Sequence, residues 1–411
     1  MSAAADTATV TVGDTEESFL RLVTSWDELV GYAALWNGLW RETEAFREVD
    51  YSLPWLRQVV EASSAFAWSG MRVPNRLPVV SPMCVFMGRG GVVSTVLPLC
   101  LRACRRRGGI GFRRATFFPC ELFWRYGWYL GTEPTREQMG GVLDLLRWRG
   151  VHVVDLPAQP EEQASRVDHA AGSAAVIWAR GRASGPGTQP ADLLGVRTRG
   201  AHADYARSKR NLCSDVRRAR NGLTRLGAWR FWRSVRGRVT GTAVPLDVIR
   251  SWIEQVSGRS WQDARGSDPV SFWRGDLGPF LRHLAETATE DLAFLFLDNT
   301  PVSFCIGSVV HHRTNLHFTA YDARYAGVSP GTVLMYEWVR DTFDTARDIE
   351  YVNFAGSKEG GYKHRFATHA DSTYRLSLFP GGPLSRLAYW CRRLRSGIEP
   401  GPQTRSHEAL T

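Results

Sequence analysis

Tyr321 to Tyr336 reads YDARYAGVSPGTVLMY, and this stretch decides the reading of the chain's second half. Asn315 to Tyr321 is patterned as a strand, a Gly- and Pro-containing turn follows, and a helix is predicted at once over Thr332 to Ala346. A helix that starts straight after a strand leaves backbone N–H groups unpaired at its N-terminus. With the helix dipole added, such donors suit a pyrophosphate. Gly331 lets backbone approach a phosphate closely, and the hydroxyl of Ser329 or Thr332 is placed to donate or cap. In isolation the same residues also read as an ordinary capped helix.

The surrounding pattern is strand, helices, strands, helix, strand. Trp229 to Val235 is a predicted strand, Pro245 to Val256 and Phe280 to Thr287 are helices, and Leu292 to Leu297 and Val302 to His311 are strands joined by Asp298-Asn299-Thr300-Pro301. Strands at Ile349 to Phe354 and Tyr374 to Phe379 close this half. The first half is also mixed α/β. A helix carries Trp26, Leu29, Ala33, Trp36 and Trp40, and another opens at Pro54 with Leu56, Val59 and Val60 on its apolar side. Strands Met83 to Met87 and Val92 to Leu101 flank a Gly88-Arg89-Gly90-Gly91 turn, and a helix with Leu143 and Leu146 precedes a strand at Val151 to Leu156. Ser184 to Pro190 (SGPGTQP) marks a loop or linker. The expected organisation is a flexible tail over 1–17, a first domain over 18–195, a basic connecting helix over 196–228, a second domain over 229–380, and a C-terminal helix and tail over 381–411.

The 411 residues exceed the usual size of one core, which favours two domains. The net charge of +10 rests almost wholly on arginine, because Lys209, Lys358 and Lys363 are the only lysines among 51 basic residues. Charge is densest from Arg197 to Arg238, where Leu212, Val216, Ala219, Leu223 and Leu226 form an apolar helical stripe beneath a basic outer face. That face admits a solvated surface, an anionic cofactor or acceptor, or nucleic acid, without a zinc-finger, helix-turn-helix or RNA-recognition signature to specify the last. No secretory signal and no apolar run of about 18 residues is seen, and seven scattered cysteines fit a reducing compartment. A cytoplasmic location is the default expectation, with no metal site and no transmembrane segment, and with peripheral membrane contact left open.

A second stretch, Asn353 to Phe366 (NFAGSKEGGYKHRF), follows a predicted strand. Asn353 at that strand's end, then Tyr362-Lys363 and Phe366, resembles the coenzyme A–adjacent segment of GNAT acetyltransferases, and YAGVSPGTVLM resembles their phosphate-binding turn and helix. Ser208-Lys209-Arg210-Asn211-Leu212, Trp261, Tyr321-Asp322, Ser329-Pro330-Gly331 and Gly361-Tyr362-Lys363 together look like the CelD/BcsL group of acetyltransferases. That group is similar to the FemABX peptidyltransferases, which place two GNAT-like domains in tandem. The resemblance runs from about Trp26 to Phe379 and is stronger in the second half. The fold it implies is α/β (α+β), with mixed sheets flanked by helices.

The resemblance implies direct transfer from acetyl-CoA or another acyl-CoA to an amine or hydroxyl of a carbohydrate or cell-envelope precursor. The donor is expected between the strands ending at Tyr321 and Phe354, with Ser329, Gly331, Thr332, Asn353 and Lys363 binding it. Tyr362 is the candidate general acid for the departing thiolate, and Asp322 a candidate base or acceptor-orienting group. By the two-residue period, His317 and Tyr321 share a face with Thr319, opposite Leu316, Phe318 and Ala320, and are expected to face the acceptor with Arg365, Lys209 and Arg210. Two alternatives stand beside this reading. One is FemABX-like aminoacyl transfer from charged tRNA, against which no inserted coiled-coil hairpin is seen. The other is a binding protein that keeps the fold without turnover, since the SPG turn is poorer in glycine than the usual acetyltransferase turn.

Overall fold

The computed structural model describes residues 9–12, 18–43, 53, 56, 79–107, 110–117, 128–172, 174–180, 191–240, 242–260, 277–310, 312–358 and 361–396. The first half contributes strands β1 (Thr9–Val12), β2 (Ser18–Val23), β3 (Val79–Pro82), β4 (Cys84–Arg89), β5 (Val92–Leu97), β6 (Leu99–Arg107), β7 (Ile110–Phe117), β8 (Leu130–Gly131), β9 (Val153–Pro160), β10 (Ala175–Arg180) and β11 (Ala191–Arg197). Its helices are α1 (Trp26–Gly31), α2 (Ala33–Glu42), α3 (Arg136–Trp148) and α4 (Glu161–Ala171). The basic segment forms α5 (His202–Ser208) and α6 (Arg210–Leu226). Then come β12 (Trp229–Val235), β13 (Arg238–Val239), α7 (Leu246–Ser257), α8 (Gly278–Glu286), β14 (Glu290–Leu297), β15 (Thr300–Val310), β16 (Arg313–Tyr321), α9 (Pro330–Asp344), β17 (Tyr351–Lys358), β18 (His369–Phe379) and α10 (Pro383–Ser396).

A five-stranded sheet orders β1-β2-β4-β5-β8, and a second sheet runs β13-β12-β14-β15-β16-β17-β11-β18-β9-β7-β6-β3, with β10 also on β18. Among the described residues only two strand pairs are parallel: β7 with β9, and β16 with β17. Each pair brackets one long helix, α3 in the first half and α9 in the second. The chain thus uses one topological device twice, which is the sense in which its halves are tandem.

Turn chemistry fixes the local registers. Asp298 and Asn299 both take positive φ, 46° and 66°, so Leu297 pairs Thr300 across a tight hairpin whose residue types tolerate that conformation. Gly90 and Gly91 do the same between β4 and β5. The expected helix opening at Pro54 lies outside the described residues except for Leu53 and Leu56, both buried. Val59, Val60, Trp261 and the Ser184–Pro190 loop also lie outside them.

Three expectations need correction. Within the expected tail, Thr9–Val12 pairs antiparallel with Ser18–Arg21, in keeping with its alternating Thr-Val-Thr-Val sequence of β-branched residues. Tyr374–Phe379 does not close the second half alone. β18 pairs β11 through His369–Ser372, then continues between β9 and β10 of the first half. In return β11, from the first half, lies beside β17 over most of its length. Such strand exchange depends on pairing between residues more than a hundred positions apart, which periodicity cannot reveal. The third correction concerns β16. A bulge between Ile306/Gly307 of β15 and Phe318/Leu316 of β16 interrupts the alternation at His317. Leu316 therefore packs toward α6 and α9, while Phe318 and Ala320 pack toward α7 and α8.

The second-half sheet is buried on both faces. α6 and α9 cover one through Leu212, Val216, Leu223, Val333, Leu334 and Trp338, and α7 and α8 cover the other through Ile249, Ile253, Phe280 and Leu284. Each such aliphatic or aromatic side chain stabilises the fold by about 1.5–3 kcal/mol when fully buried. α9 is also pinned by charge. Arg233 on β12, fully buried, makes a two-pronged bond to Asp291 at 2.8 Å and 2.8 Å and reaches Asp341 at 3.0 Å and the Thr342 hydroxyl at 2.9 Å on α9. Trp338 Nε1 donates back to Asp291 at 3.0 Å.

Candidate active site

β16 and β17 pair in parallel only through Arg313–Asn315 and Tyr351–Asn353. Beyond that point β16 runs on to Tyr321 and β17 to Lys358 without pairing each other, so a V-shaped opening is built into the sheet. Asn353 Nδ2 donates to Asn315 Oδ1 at 3.0 Å at the vertex, where both side chains are buried. Backbone groups on the inner edges of such an opening lack ladder partners, and they are the groups a flat polar substrate can pair with.

Lys363 reaches the vertex from the turn after β17. Its Nζ donates to the Phe354 carbonyl, one residue past the last parallel pair, at 2.6 Å. Desolvation pushes its pKa down to about 8, only partly opposed by the Cys305 thiol. Tyr362 beside it is 49% exposed as a whole residue, yet burial of its phenol end raises its pKa, with the Cys305 thiol as the smaller cause. The phenol thus keeps its proton through the neutral range. Cys305 itself is pushed up to about 12 by burial, and its Sγ contacts the Thr319 hydroxyl and Met335 Sδ, each at 3.5 Å. Neither Asn315 nor Cys305 stands out in the sequence as a site residue, and Thr319 does so only as a neighbour on the face of His317 and Tyr321. For Asn315 a signal existed, an amide opening the predicted strand Asn315 to Tyr321.

The turn between β16 and α9 is a 3-10 segment, Ala323–Val328, followed by Ser329 in the left-handed region at φ 50°. A serine rarely adopts this conformation, and it is held here by its surroundings. α6 supports the segment closely: a Cβ on Gly222 would stand 2.8 Å from Val328 Cγ1, so glycine is what lets the helix approach. Pro330 occupies the first helical position, where its missing N–H costs nothing. The N–H groups of Thr332 and Val333 both donate to the Ser329 carbonyl, at 3.0 Å and 3.3 Å. Among the described residues no backbone carbonyl accepts from the Gly331 N–H, so the cradle is smaller than the sequence implied. Ser329 is exposed, and Gly331 and Thr332 are half-buried. A Cβ on Gly331 would lie 3.2 Å from Tyr321 Cδ1, so the tyrosine ring lies against this turn.

The other predicted residues divide. Asp322 is buried and caps the 3-10 segment, accepting from the Arg324 backbone N–H at 3.0 Å and from the Arg324 guanidinium at 2.6 Å. Burial works against its charge, but the Arg324 bonds outweigh it and keep the pKa below the ordinary carboxylate value. Such a carboxylate is a turn-former, held away from base chemistry. His317, expected to face the acceptor, is turned by the bulge toward α8: its Nε2 lies 2.7 Å from the Ser308 hydroxyl and its ring packs edge-on to Phe280. Arg365 pairs with Asp215 of α6, which ties the Tyr362–Arg365 turn to the basic helix. Lys209 Nζ donates to the Ala367 carbonyl just past that turn, and desolvation lowers its pKa. Arg210 is exposed at the start of α6. The structure places Lys363 on the carbonyl next to Asn353 at the vertex, with Tyr362 preceding it in the chain, sets Ser329, Gly331, Thr332 and Tyr321 at the turn before α9, and leaves Asp322 and His317 in structural contacts.

The first half offers a contrast. At the equivalent parallel pair, Asp155 accepts from Arg114 of β7, from the Ser377 hydroxyl at 2.7 Å and from Arg392 of α10 at 2.6 Å. Burial opposes this charge, but the two arginines overcome it and hold the carboxyl far below its ordinary range. An ionic cluster closes that vertex.

A sheet that splays between two parallel strands, with a helix starting beside the splay, is the arrangement that the resemblance to GNAT acetyltransferases implied. Residues 207–364 match the family profile described as an acetyltransferase (GNAT) domain, and the fold is similar to that of FemX. The solved structure of FemX is similar over 87% of this chain and 98% of its own, at 10% identity and a TM-score of 0.55. A conserved protein of unknown function from Bacteroides thetaiotaomicron is similar over 85% of this chain and 97% of its own, at 10% identity and a TM-score of 0.50. A tandem GNAT protein from the clavulanic acid biosynthesis pathway covers 80% of this chain and 95% of its own, at 12% identity and a TM-score of 0.42. No curated protein matches the sequence.

Proposed function

We propose that the protein transfers an acyl group from an acyl-CoA thioester directly to an amine or hydroxyl, using the opening between β16 and β17. The observation that carries this reading is the vertex itself: an Asn–Asn bond where the strands part, with the desolvated Lys363 amine on the first carbonyl beyond it and the protonated Tyr362 phenol beside it. The thioester donor would lie along the free edge of β16, its pyrophosphate toward the Gly331 N–H and the Ser329 and Thr332 hydroxyls. The acceptor nitrogen or oxygen attacks the thioester carbon, and backbone N–H groups of the splayed strand stabilise the oxyanion. As the C–S bond breaks, the thiolate takes the Tyr362 proton and the acceptor gives its proton to the fraction of Lys363 that its pKa of about 8 leaves as free amine. Exchange with water resets both groups. The likeness to the CelD/BcsL group supports a saccharide or envelope-precursor acceptor.

Aminoacyl transfer from charged tRNA is the second reading. The exposed Arg210, Arg217 and Arg218 along α6 favour it, since a nucleic-acid donor needs phosphate contacts. Thiol release from acetyl-CoA, followed with a chromogenic disulfide across a panel of amino sugars and polyols, tests the first reading. Acceptor-dependent release supports it. Silence with every acyl-CoA, together with label transfer from charged tRNA, would replace it with the second, and silence with both donors would favour a fold retained for binding alone.

A further inference from the structure

α10 has its amphipathicity inverted. The side facing the protein carries Ser385, which is buried and donates to the His152 carbonyl, the small Ala388, and Arg392, which binds Asp155. The side facing away carries Leu384, Leu387 and Trp390, exposed by 42%, 40% and 52%. These three recur every third residue and form one stripe. A helix folded only for its own domain would turn leucines inward and arginines outward.

The chemistry around the stripe says what would cover it. The helix sequence, PLSRLAYWCRRLRS, holds four arginines and no acid. The Arg393 guanidinium lies 5.4 Å from the Trp390 ring centre, joining a cation to the aromatic at the edge of the stripe. Arg386 is exposed and lines a cleft of about 420 Å³ together with Arg147 of α3, Tyr389 and Trp390. Leucines below, with Trp and Arg at the margin, is the arrangement of helices that lie in the plane of a bilayer surface, where apolar side chains enter the acyl boundary and arginines meet lipid phosphates. Nucleic acid would use the arginines and leave the leucines idle. Among the described residues no helix is long and apolar enough to cross a membrane.

We infer that α10 docks the protein on an anionic phospholipid surface, with Leu384, Leu387 and Trp390 inserted and Arg386 and Arg393 on the headgroups. Flotation of the full chain with vesicles tests this. The protein is expected to float with mixed phosphatidylglycerol/phosphatidylcholine vesicles, to stay behind with phosphatidylcholine alone, and to lose binding as salt rises. L387E with W390E is expected to cut the floated fraction about tenfold or more, with the far-UV circular dichroism and melting temperature of the wild type. The milder L387S serves if the double variant unfolds. Flotation unchanged by these substitutions overturns the inference. So does a wild-type dimer that the same substitutions split, which would assign the stripe to a second copy, or retention on duplex DNA that they abolish.

Discussion

Asn353 Nδ2 donates to Asn315 Oδ1 at 3.0 Å across the last residue pair at which β16 and β17 share a register. The point where the sheet opens is therefore held by its own bond between two buried amides. Asn353→Leu leaves the Asn315 amide short of a partner and is expected to lower the unfolding free energy by about 1–3 kcal/mol. Urea unfolding checks this, and the double replacement Asn315→Leu/Asn353→Leu should cost less than the two single changes added. Strict additivity would show that the bond contributes nothing of its own.

The Arg233 guanidinium is fully buried and bound by Asp291 and Asp341. Arg233→Met strands two carboxylates beneath α9 and is expected to destabilise by about 3–5 kcal/mol. Because α9 begins at the proposed donor turn, donor affinity should fall with stability. Loss of stability with full donor affinity would separate the network from the site.

Lys363 provides a pH signature. Its folded pKa of about 8 lies below the ordinary 10.5 because its ammonium is desolvated. Below about pH 8 both folded and unfolded chains hold the proton and the burial cost is at its full value. Between about 8 and 10.5 the unfolded chain binds more protons, so this group makes stability rise with pH, and above 10.5 the cost is gone. Lys363→Met should flatten that rise in melting temperature between pH 8 and 10.5. An identical slope in both proteins would mean that Lys363 titrates normally.

Tyr362→Phe removes one hydroxyl and keeps the ring. Turnover is expected to fall about 10²-fold or more while the donor dissociation constant stays within about twofold. Equal loss of both would make the phenol a binding group rather than an acid.

Much of this architecture was legible because it is local. The helix from Pro330 follows from a proline at its first position and an apolar run whose Val333, Leu334, Trp338 and Val339 are all buried. The hairpin at Asp298-Asn299 follows from residue types that accept positive φ. What escaped was non-local. The bulge at His317 changes which face each later side chain takes, and no periodicity announces it. Asp322 read as a catalytic carboxylate because strand ends are where such groups occur, yet its neighbour two residues on, Arg324, claims it. The vertex Asn pair needed a register, since Asn315 and Asn353 meet only once the strands are aligned.

The central claim is that the opening beside Gly331 receives a diphosphate-linked acyl donor, and calorimetric titration with acetyl-CoA tests it most directly. Wild type should bind with one site per chain. Gly331→Val, whose added methyls crowd the Tyr321 ring and its own N–H, should lose that binding by about tenfold or more while melting within a few degrees of wild type. Undiminished binding by a folded Gly331→Val protein, or no heat from the wild type with any acyl-CoA, would contradict the account.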